Sequence, residues 1–309
     1  MSIMRRLGLV FLLTLLLGVL SVIGQQSQPA PSSTSLPDLT PDAHGALSQE
    51  QMQQLLRVVA DKDAENDKRL RDYTYIERDE EHKVDGKGDV KSTDAKTFEV
   101  MELYGEQVQR LIEKNDQPLD TKDAAKEEEK IQKVIDKRNN ESADDRRKRE
   151  EKEEKEREEN RKFVHEVADA YNFTLVGTEV VGGREAWVID GEPRPGFVPH
   201  MKESKFLSKF RGRVWIDKTD LQLAKMDVEC LDTVSWGLFL ARFHKGSRFM
   251  LEQTRVNDEV WLPRKLTAKI DVRLGLIKNF DFDVEQSFRD YKKFRSSTRI
   301  LAVEDIKKK

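Results

Sequence analysis

Cysteine is nearly absent: the 309 residues contain one, Cys230. That excludes an intramolecular disulfide framework, a cysteine-based zinc site and a CxxC redox pair together. Histidine is scarce as well, and the five, His44, His82, His165, His200 and His244, stand in no HxxxH or HExxH spacing. No metal and no cofactor is expected. GxSxG, P-loop and GxGxxG motifs are missing, so nucleophile-elbow, phosphate-cradle and dinucleotide chemistry have no starting point. Ser and Asp are abundant but form no constellation, which makes a hydrolase the weakest of the functional readings. A surplus of one charge is lacking too: 55 Lys and Arg face 58 Asp and Glu, for a formal net charge of -3. A near-balanced chain has no global field to draw it onto nucleic acid, so no nucleic-acid partner is expected.

Charge itself is plentiful, at 37% of residues against roughly 25% for an average protein. It is unevenly spread. The first segment has little of it: Arg5 and Arg6 precede an apolar run from Leu7 to Ile23, with Val22 and Gly24 at the minus-three and minus-one positions of a cleavage site. Residues 1–24 read as a secretory signal peptide. The alternative is an uncleaved N-terminal anchor, because a run of this length just spans a bilayer. No cysteine follows the run, which rules out a lipobox, and the neighbours of Arg5-Arg6 fit twin-arginine export poorly. Residues 25–46 are rich in Pro, Ser and Gln with almost nothing to bury, and are expected to be a disordered linker.

The folded part is expected from about residue 47 to 295, leaving 296–309 as a tail. Ser48 and Gln51 form a capping-box pair ahead of Met52, Leu55, Leu56 and Val59, which predicts an amphipathic helix over 48–60. Its polar continuation, Asp61–Arg71, is expected to face water or fray. From Tyr73 the period becomes two: Tyr73, Tyr75 and Glu77 alternate with Thr74, Ile76 and Arg78, and Gly86-Lys87-Gly88-Asp89 turns the chain into a second strand. A third strand over Gln107–Glu113 ends where Asn115-Asp116-Gln117-Pro118 breaks the pattern.

Residues 120–162 hold 16 acidic and 15 basic residues, without Gly or Pro, and many opposite charges fall four apart. This predicts a long charged helical insertion, either one helix or two broken near Asn139-Asn140. A coiled coil would need a and d positions that are missing. Helices over 121–136 and 163–171 have apolar stripes, while the stretch between them is expected to project into solvent.

From Phe173 the chain reads as short alternating strands with regular turn signals, an antiparallel sheet rather than βαβ units. Ala224, Met226, Val228 and Cys230 share one face against Lys225, Asp227 and Glu229. Leu266, Ala268, Ile270 and Val272 do the same, as do Phe280, Phe282, Val284 and Phe288. Trp215 falls opposite Val214 and Ile216. Cys230 reads as a small hydrophobe on the apolar face. The three-proline stretch Gly191–Pro199 is a stiff loop, a lid or only a connection. Asn140-Glu141-Ser142 and Asn172-Phe173-Thr174 match the glycosylation pattern, which matters only in a eukaryotic secretory pathway. The helices are few for a sheet of this size, so a curled sheet partly covered by them would enclose an apolar cavity.

The order of export signal, N-terminal helix and antiparallel meander, with Gly212-Arg213-Val214-Trp215-Ile216-Asp217 leading to Leu223-Ala224-Lys225-Met226, resembles the outer-membrane lipoprotein-carrier (LolA-like, RseB-like) superfamily. The resemblance covers about residues 47–118 and 163–295. It implies an α+β fold, a curled antiparallel sheet forming an unclosed half-barrel covered by a few helices, in a Gram-negative periplasm. The expected function is non-enzymatic: binding of a lipid, lipoprotein acyl chains or another apolar ligand, in outer-membrane lipoprotein sorting, with transient contact with the membrane. The candidate cavity-face residues are Ala224, Met226, Val228, Leu266, Ala268, Ile270, Phe280, Phe282 and Val284. The alternative is an envelope sensor or scaffold whose charged helical arm binds a protein partner.

Overall fold

The structure is a computed structural model that describes residues 47–85, 89–104, 106–236, 241–274 and 278–293. The expected signal peptide, linker and tail lie outside the described residues. Helix α1 (Gln49–Leu70) leads into β1 (Tyr73–Val84), β2 (Val90–Leu103), β3 (Glu106–Lys114) and β4 (Gln117–Pro118). Helices α2 (Thr121–Asn139) and α3 (Ala143–Ala170) follow, then β5 (Tyr171–Val181), β6 (Arg184–Pro193) and a 3-10 helix, Glu203–Lys209. The chain continues through β7 (Phe210–Asp217), β8 (Leu223–Cys230), β9 (Val234–Trp236), β10 (Ala241–Phe243), β11 (Arg248–Val256), β12 (Val260–Leu274) and β13 (Lys278–Lys293).

All the strands belong to one sheet, in the order β4-β3-β2-β1-β13-β12-β11-β8-β7-β6-β5, with β10 paired to the far end of β12 and β9 to β10. Every pairing is antiparallel. The two edge strands, β4 and β5, do not pair with each other, so the curled sheet stays an unclosed half-barrel. This is an α+β fold. The charged helices α2 and α3 are the chain's route from one edge of the sheet to the other.

Turn chemistry sets the hairpins. Asn115-Asp116 takes positive φ at both residues (50° and 59°) and joins Lys114 to its partner Gln117. Only turns of the mirror-image type match the twist of such a two-residue hairpin. The expected break after β3 is thus a tight turn into β4. Asn257-Asp258 repeats the geometry between β11 and β12 (50° and 56°), as Gly182-Gly183 does between β5 and β6.

Helix α1 has its capping box: the Ser48 hydroxyl accepts from the Gln51 amide at 3.2 Å, and the Gln51 side chain accepts from the Ser48 amide at 2.8 Å. Its second half corrects the expectation of a frayed end. Asn66 and Leu70 are buried, because Asn66 donates to Gln222 (2.7 Å) and accepts from the Trp261 amide (3.2 Å), while Leu70 packs on Tyr73 and Tyr75. Asp61, Glu65, Lys68 and Arg69 face water as expected, while Asn66 on the opposite side finds its partners inside the fold.

The insertion is two helices. Asn140 ends α2 and Ser142 caps α3 by accepting from the Asp145 amide at 3.1 Å. Glu141, between them, is held by Arg138 (2.8 Å) and Arg149 (2.9 Å). Ile131 and Ile135 of α2 are fully buried with Leu103 and Val108. Over its first five turns α3 is almost wholly exposed and carries its own i,i+4 pairs, such as Lys148 with Asp144 and Lys162 with Glu158, both 2.7 Å. At Phe163 the helix meets the body, and Asp169 bonds Arg57 of α1 at 2.5 Å.

Candidate functional site

Helices α1 and α3 lie across the concave face of the sheet without filling it. A cavity of about 330 Å³ remains between them, small within the roughly 300–1,000 Å³ range of ligand pockets. Leu56 and Val59 of α1 and Phe163, Val167 and Tyr171 at the end of α3 form its roof. Val214 and Ile216 of β7, Leu223, Met226 and Val228 of β8, Leu251 of β11 and Leu266 of β12 form its floor. Gly191 lets the wall close, since a side chain there would meet the Phe173 ring at 3.2 Å.

Three register shifts shape the floor. β7 pairs Trp215 with Lys225 and then Ile216 with Leu223, so Ala224 is the extra residue of a bulge. β11 pairs Glu252 with Lys265 and then Gln253 with Pro263. β1 pairs Ile76 with Arg289 and then Thr74 with Lys292, around Asp290 at φ 59°. Each bulge brings two residues three apart onto the cavity side: Leu223 with Met226, Pro263 with Leu266, Phe288 with Tyr291.

The candidate residues therefore divide. Met226, Val228 and Leu266 line the cavity. Ala224 is buried but absent from the lining, because the bulge hands its place to Leu223. Ala268, Ile270 and Val284 belong to a solid cluster with Phe210, Cys230, Val234, Phe243 and Phe249, and Phe282 packs against it. The backbone of Phe280 pairs with Val272, and its side chain lies outside the described residues. Trp215 turns to the other face, onto Ala186 and Val188, as the alternation predicts.

The sequence reading missed the roof and a polar end of the cavity. There Asp63 and Asp67 of α1 stand near Tyr75 and Glu77 of β1, with Gln109, Gln253, Gln286 and Tyr291 around them. Glu77 accepts from Gln109 (3.0 Å) and from Gln286 (3.3 Å), Gln286 also donates to Asp79 (2.9 Å), and Gln253 donates to Asp63 (3.2 Å). Asp63 is half-buried and lines the cavity. Desolvation, with the neighbouring Asp67, pushes its carboxyl up to about 6, the Gln253 bond opposing. Burial, then the nearby carboxylates, push the Tyr75 hydroxyl up as well. A signal was present in the sequence: Glu77 falls in phase with Tyr73 and Tyr75, and Gln286 in phase with Phe282 and Val284.

Outside the cavity, the polar residues of interest are structural. Asp217 accepts both guanidinium bonds of Arg184 (2.6 and 2.9 Å) and the amides of Thr219 and Asp220 (3.0 and 2.7 Å), which closes the β7–β8 turn. Cys230 is buried, its thiol donating to the Asp232 carbonyl. The loop after β6 is pinned to α3, since Arg194 bonds the Ala170 carbonyl (2.8 Å) and buried Glu166 accepts from the His200 amide and the Ser204 hydroxyl (2.5 and 2.6 Å). Among the described residues no group of His, Cys, Asp and Glu is arranged to hold a metal, and no helix is long and apolar enough to cross a membrane.

No family model matches this sequence, and no curated protein does. Among solved structures the likenesses are at low identity and low TM-score. One, assigned as an outer membrane lipoprotein-sorting protein domain from Vibrio parahaemolyticus, has a TM-score of 0.33 and 10% identity, covering 83% of this chain and 99% of that one. A LolA superfamily protein from Nitrosomonas europaea has a TM-score of 0.27 and 8% identity, covering 81% and 96%. MucB of Pseudomonas aeruginosa, in its complex with MucA, has a TM-score of 0.20 and 9% identity, covering 78% and 99%. Likeness at this level leaves function to be read from the cavity itself.

Proposed function

We propose that this chain is an exported, non-enzymatic periplasmic protein that binds an apolar ligand, a lipid or the acyl chains of a lipoprotein, and serves outer-membrane lipoprotein sorting. The supporting observation is the cavity of about 330 Å³ between α1, α3 and the concave sheet, walled mostly by aliphatic and aromatic side chains. A well-packed domain fills such a space. Burying an acyl chain there would contribute about 0.8 kcal/mol per methylene, so ten methylenes outweigh the lower part of the roughly 4–15 kcal/mol cost of association. The exposed part of α3 ends before Phe163 and contributes no wall.

Native mass spectrometry of mature protein, purified from the periplasm without detergent and followed by lipid extraction, tests the reading. A mass excess that resolves into acyl-chain species is expected. The bare polypeptide mass, with no uptake of an added fluorescent lipid, would sink it.

A further inference from the structure

Between Gly191 and Phe210, both of which line the cavity, the chain leaves the sheet for a loop and the 3-10 helix, and this excursion differs in charge from the rest of the molecule. Residues 194–209 carry four cations, Arg194, Lys202, Lys205 and Lys209, and one acid, Glu203, in a chain whose formal net charge is -3. Lys209 is bound to Asp232, and the Arg194 guanidinium stands 5.7 Å from the centre of the Phe197 ring. Lys202 and Lys205 are exposed and lie within ion-pair distance of no described carboxylate. On the adjoining turn of α3, exposed Arg161 and Lys162 share an open cleft with His165, His200 and Met201. The acids of that cleft are engaged: Asp61 by His165 (3.1 Å), Asp169 by Arg57 (2.5 Å), and Glu166 by the His200 amide (2.5 Å) and the Ser204 hydroxyl (2.6 Å). The free charge on this rim is positive.

Apolar side chains stand among these cations. Pro195, Phe197, Val198, Pro199 and Met201 are exposed or half-buried, and Val198 keeps 72% of its surface in solvent. A Pro-Gly turn presents them: the Phe197 amide bonds the Arg194 carbonyl (3.2 Å), Gly196 takes φ 77°, and a side chain at Gly196 would meet nothing within 4 Å. The excursion is held at several points, by the Ala170 carbonyl on the Arg194 amide, by Glu166, and by the Tyr171 hydroxyl on the Leu207 carbonyl (2.8 Å). Pro193, Pro195 and Pro199 stiffen it further, so little freedom is left to lose on docking. Apolar surface ringed by cations suits an anionic bilayer, whose interface takes up the first while its head groups meet the second.

We infer that residues 194–209 form a membrane-docking surface, on which Val198 and its apolar neighbours enter the head-group region of an anionic bilayer while Arg194, Lys202 and Lys205 meet the lipid phosphates. A bilayer fits better than an acidic protein, because these apolar side chains lie on an open turn that a fluid surface wraps without matching its shape. Gly191, Leu207 and Phe210 line the cavity, so docking here sets the cavity wall beside the membrane. The inference goes beyond the cavity reading and does not need it. The surface can dock with the cavity empty, and Val198, Lys202 and Lys205 are not among the residues that line the cavity.

The test is co-sedimentation of the mature protein with phosphatidylcholine vesicles, with and without about one third phosphatidylglycerol. Each cation near an anionic leaflet is worth about fivefold in partition, so the three should give at least about a tenfold preference for the anionic vesicles, lost at about molar salt. Lys202→Gln combined with Lys205→Gln should lower that binding about tenfold or more, and Val198→Asp several-fold. Val198→Trp should raise it several-fold, because an indole favours the interface. Uptake of a fluorescent lipid supplied as monomer should stay native in all of these variants. Equal binding to the two vesicles, or binding to neither, overturns the docking inference and leaves the cavity reading standing. Anionic preference with no lipid uptake by the native protein does the reverse. A preference that falls with the lysines but ignores both Val198 variants overturns the docking inference and makes an acidic macromolecule the occupant. One that ignores every variant places the contact elsewhere and overturns it as well.

Discussion

Two stretches of the same concave face differ in what stands over them. Around Ile270 the face is solid: Val234 of β9, Phe243 of β10 and Phe210 fold over it and close with Phe249, Ala268 and Val284. A few residues along the same strands, around Leu266 and Met226, the cover is α1 and α3, and the space below them is hollow. The strand pattern is alike in both places. Apolar alternation therefore marks which side of a sheet is buried, and the covering element decides whether that side becomes core or cavity.

The sharpest test of this contrast uses two positions on one strand. Ile270 and Leu266 are almost equally inaccessible, 3% and 4% exposed. Ile270→Ala removes methylenes from a site packed on all sides, and is expected to cost about 3–4 kcal/mol, the upper range for such truncations. Leu266→Ala removes a side chain that is packed on most of its surface but borders the cavity on one side, so fewer contacts are lost and the cost should be about 2 kcal/mol, the bottom of the range for such truncations. Urea unfolding of the two variants measures the difference. Lipid uptake should weaken in Leu266→Ala and stay native in Ile270→Ala. Equal stability losses would mean that the two stretches are packed alike.

The next largest effect separates the polar end from the apolar remainder. Asp63 has its folded carboxyl at about 6, above the ordinary 3.8. Between those values the folded protein keeps a proton that the unfolded chain has released. The contribution of Asp63 to stability is thus most favourable below pH 4, falls as pH rises through the interval and levels off above 6, against the opposite trend of carboxylates held low by cations, such as Asp217 beside Arg184. At one pH unit per 1.36 kcal/mol the loss is on the order of 2–3 kcal/mol, less where water enters the cavity. Asp63→Asn keeps the shape without the charge. It is expected to raise stability by about 2 kcal/mol at pH 7.5 and to leave it unchanged at pH 4, as read by unfolding midpoints at the two pH values. A variant no more stable than the native protein at pH 7.5 would show that Asp63 is well solvated.

Much of this was legible before any coordinates. The antiparallel sheet, the hairpins, the capped start of α1 and the charged helices follow from periodicity and turn residues, which act locally; the half-barrel class came with the family resemblance, and the break at Asn140 was one of two alternatives that the charge pattern left open. The cavity floor was half legible. Strict alternation places Ala224 with Met226, yet the bulge puts Leu223 there instead, and no residue in Leu223-Ala224-Lys225 announces a bulge. The division between Ile270 and Leu266 was not legible, because it depends on β9, β10 and the helices, which meet the face from far along the chain. The second half of α1 looked like a solvated tail because Asp63 and Asn66 are polar. Their partners, Gln222, Gln253 and the Trp261 amide, are more than 150 residues away.

The smallest expected change in stability carries the clearest change in binding. Met226 is half-buried, with one side against the solid cluster and the other facing the hollow. Met226→Trp would push an indole into the space without displacing a packed neighbour. Filling a void gains contacts at about the rate that burying the indole loses side-chain freedom, so stability should change by no more than about 1 kcal/mol, a shift of a few degrees in Tm. The same indole occupies room an acyl chain would take, and uptake of a fluorescent lipid should fall at least tenfold. A large loss of stability would mean that the floor at Met226 is as tightly packed as the face around Ile270. Undiminished uptake would mean that the chain lies elsewhere, since one volume cannot hold both an indole and the methylenes that would replace it.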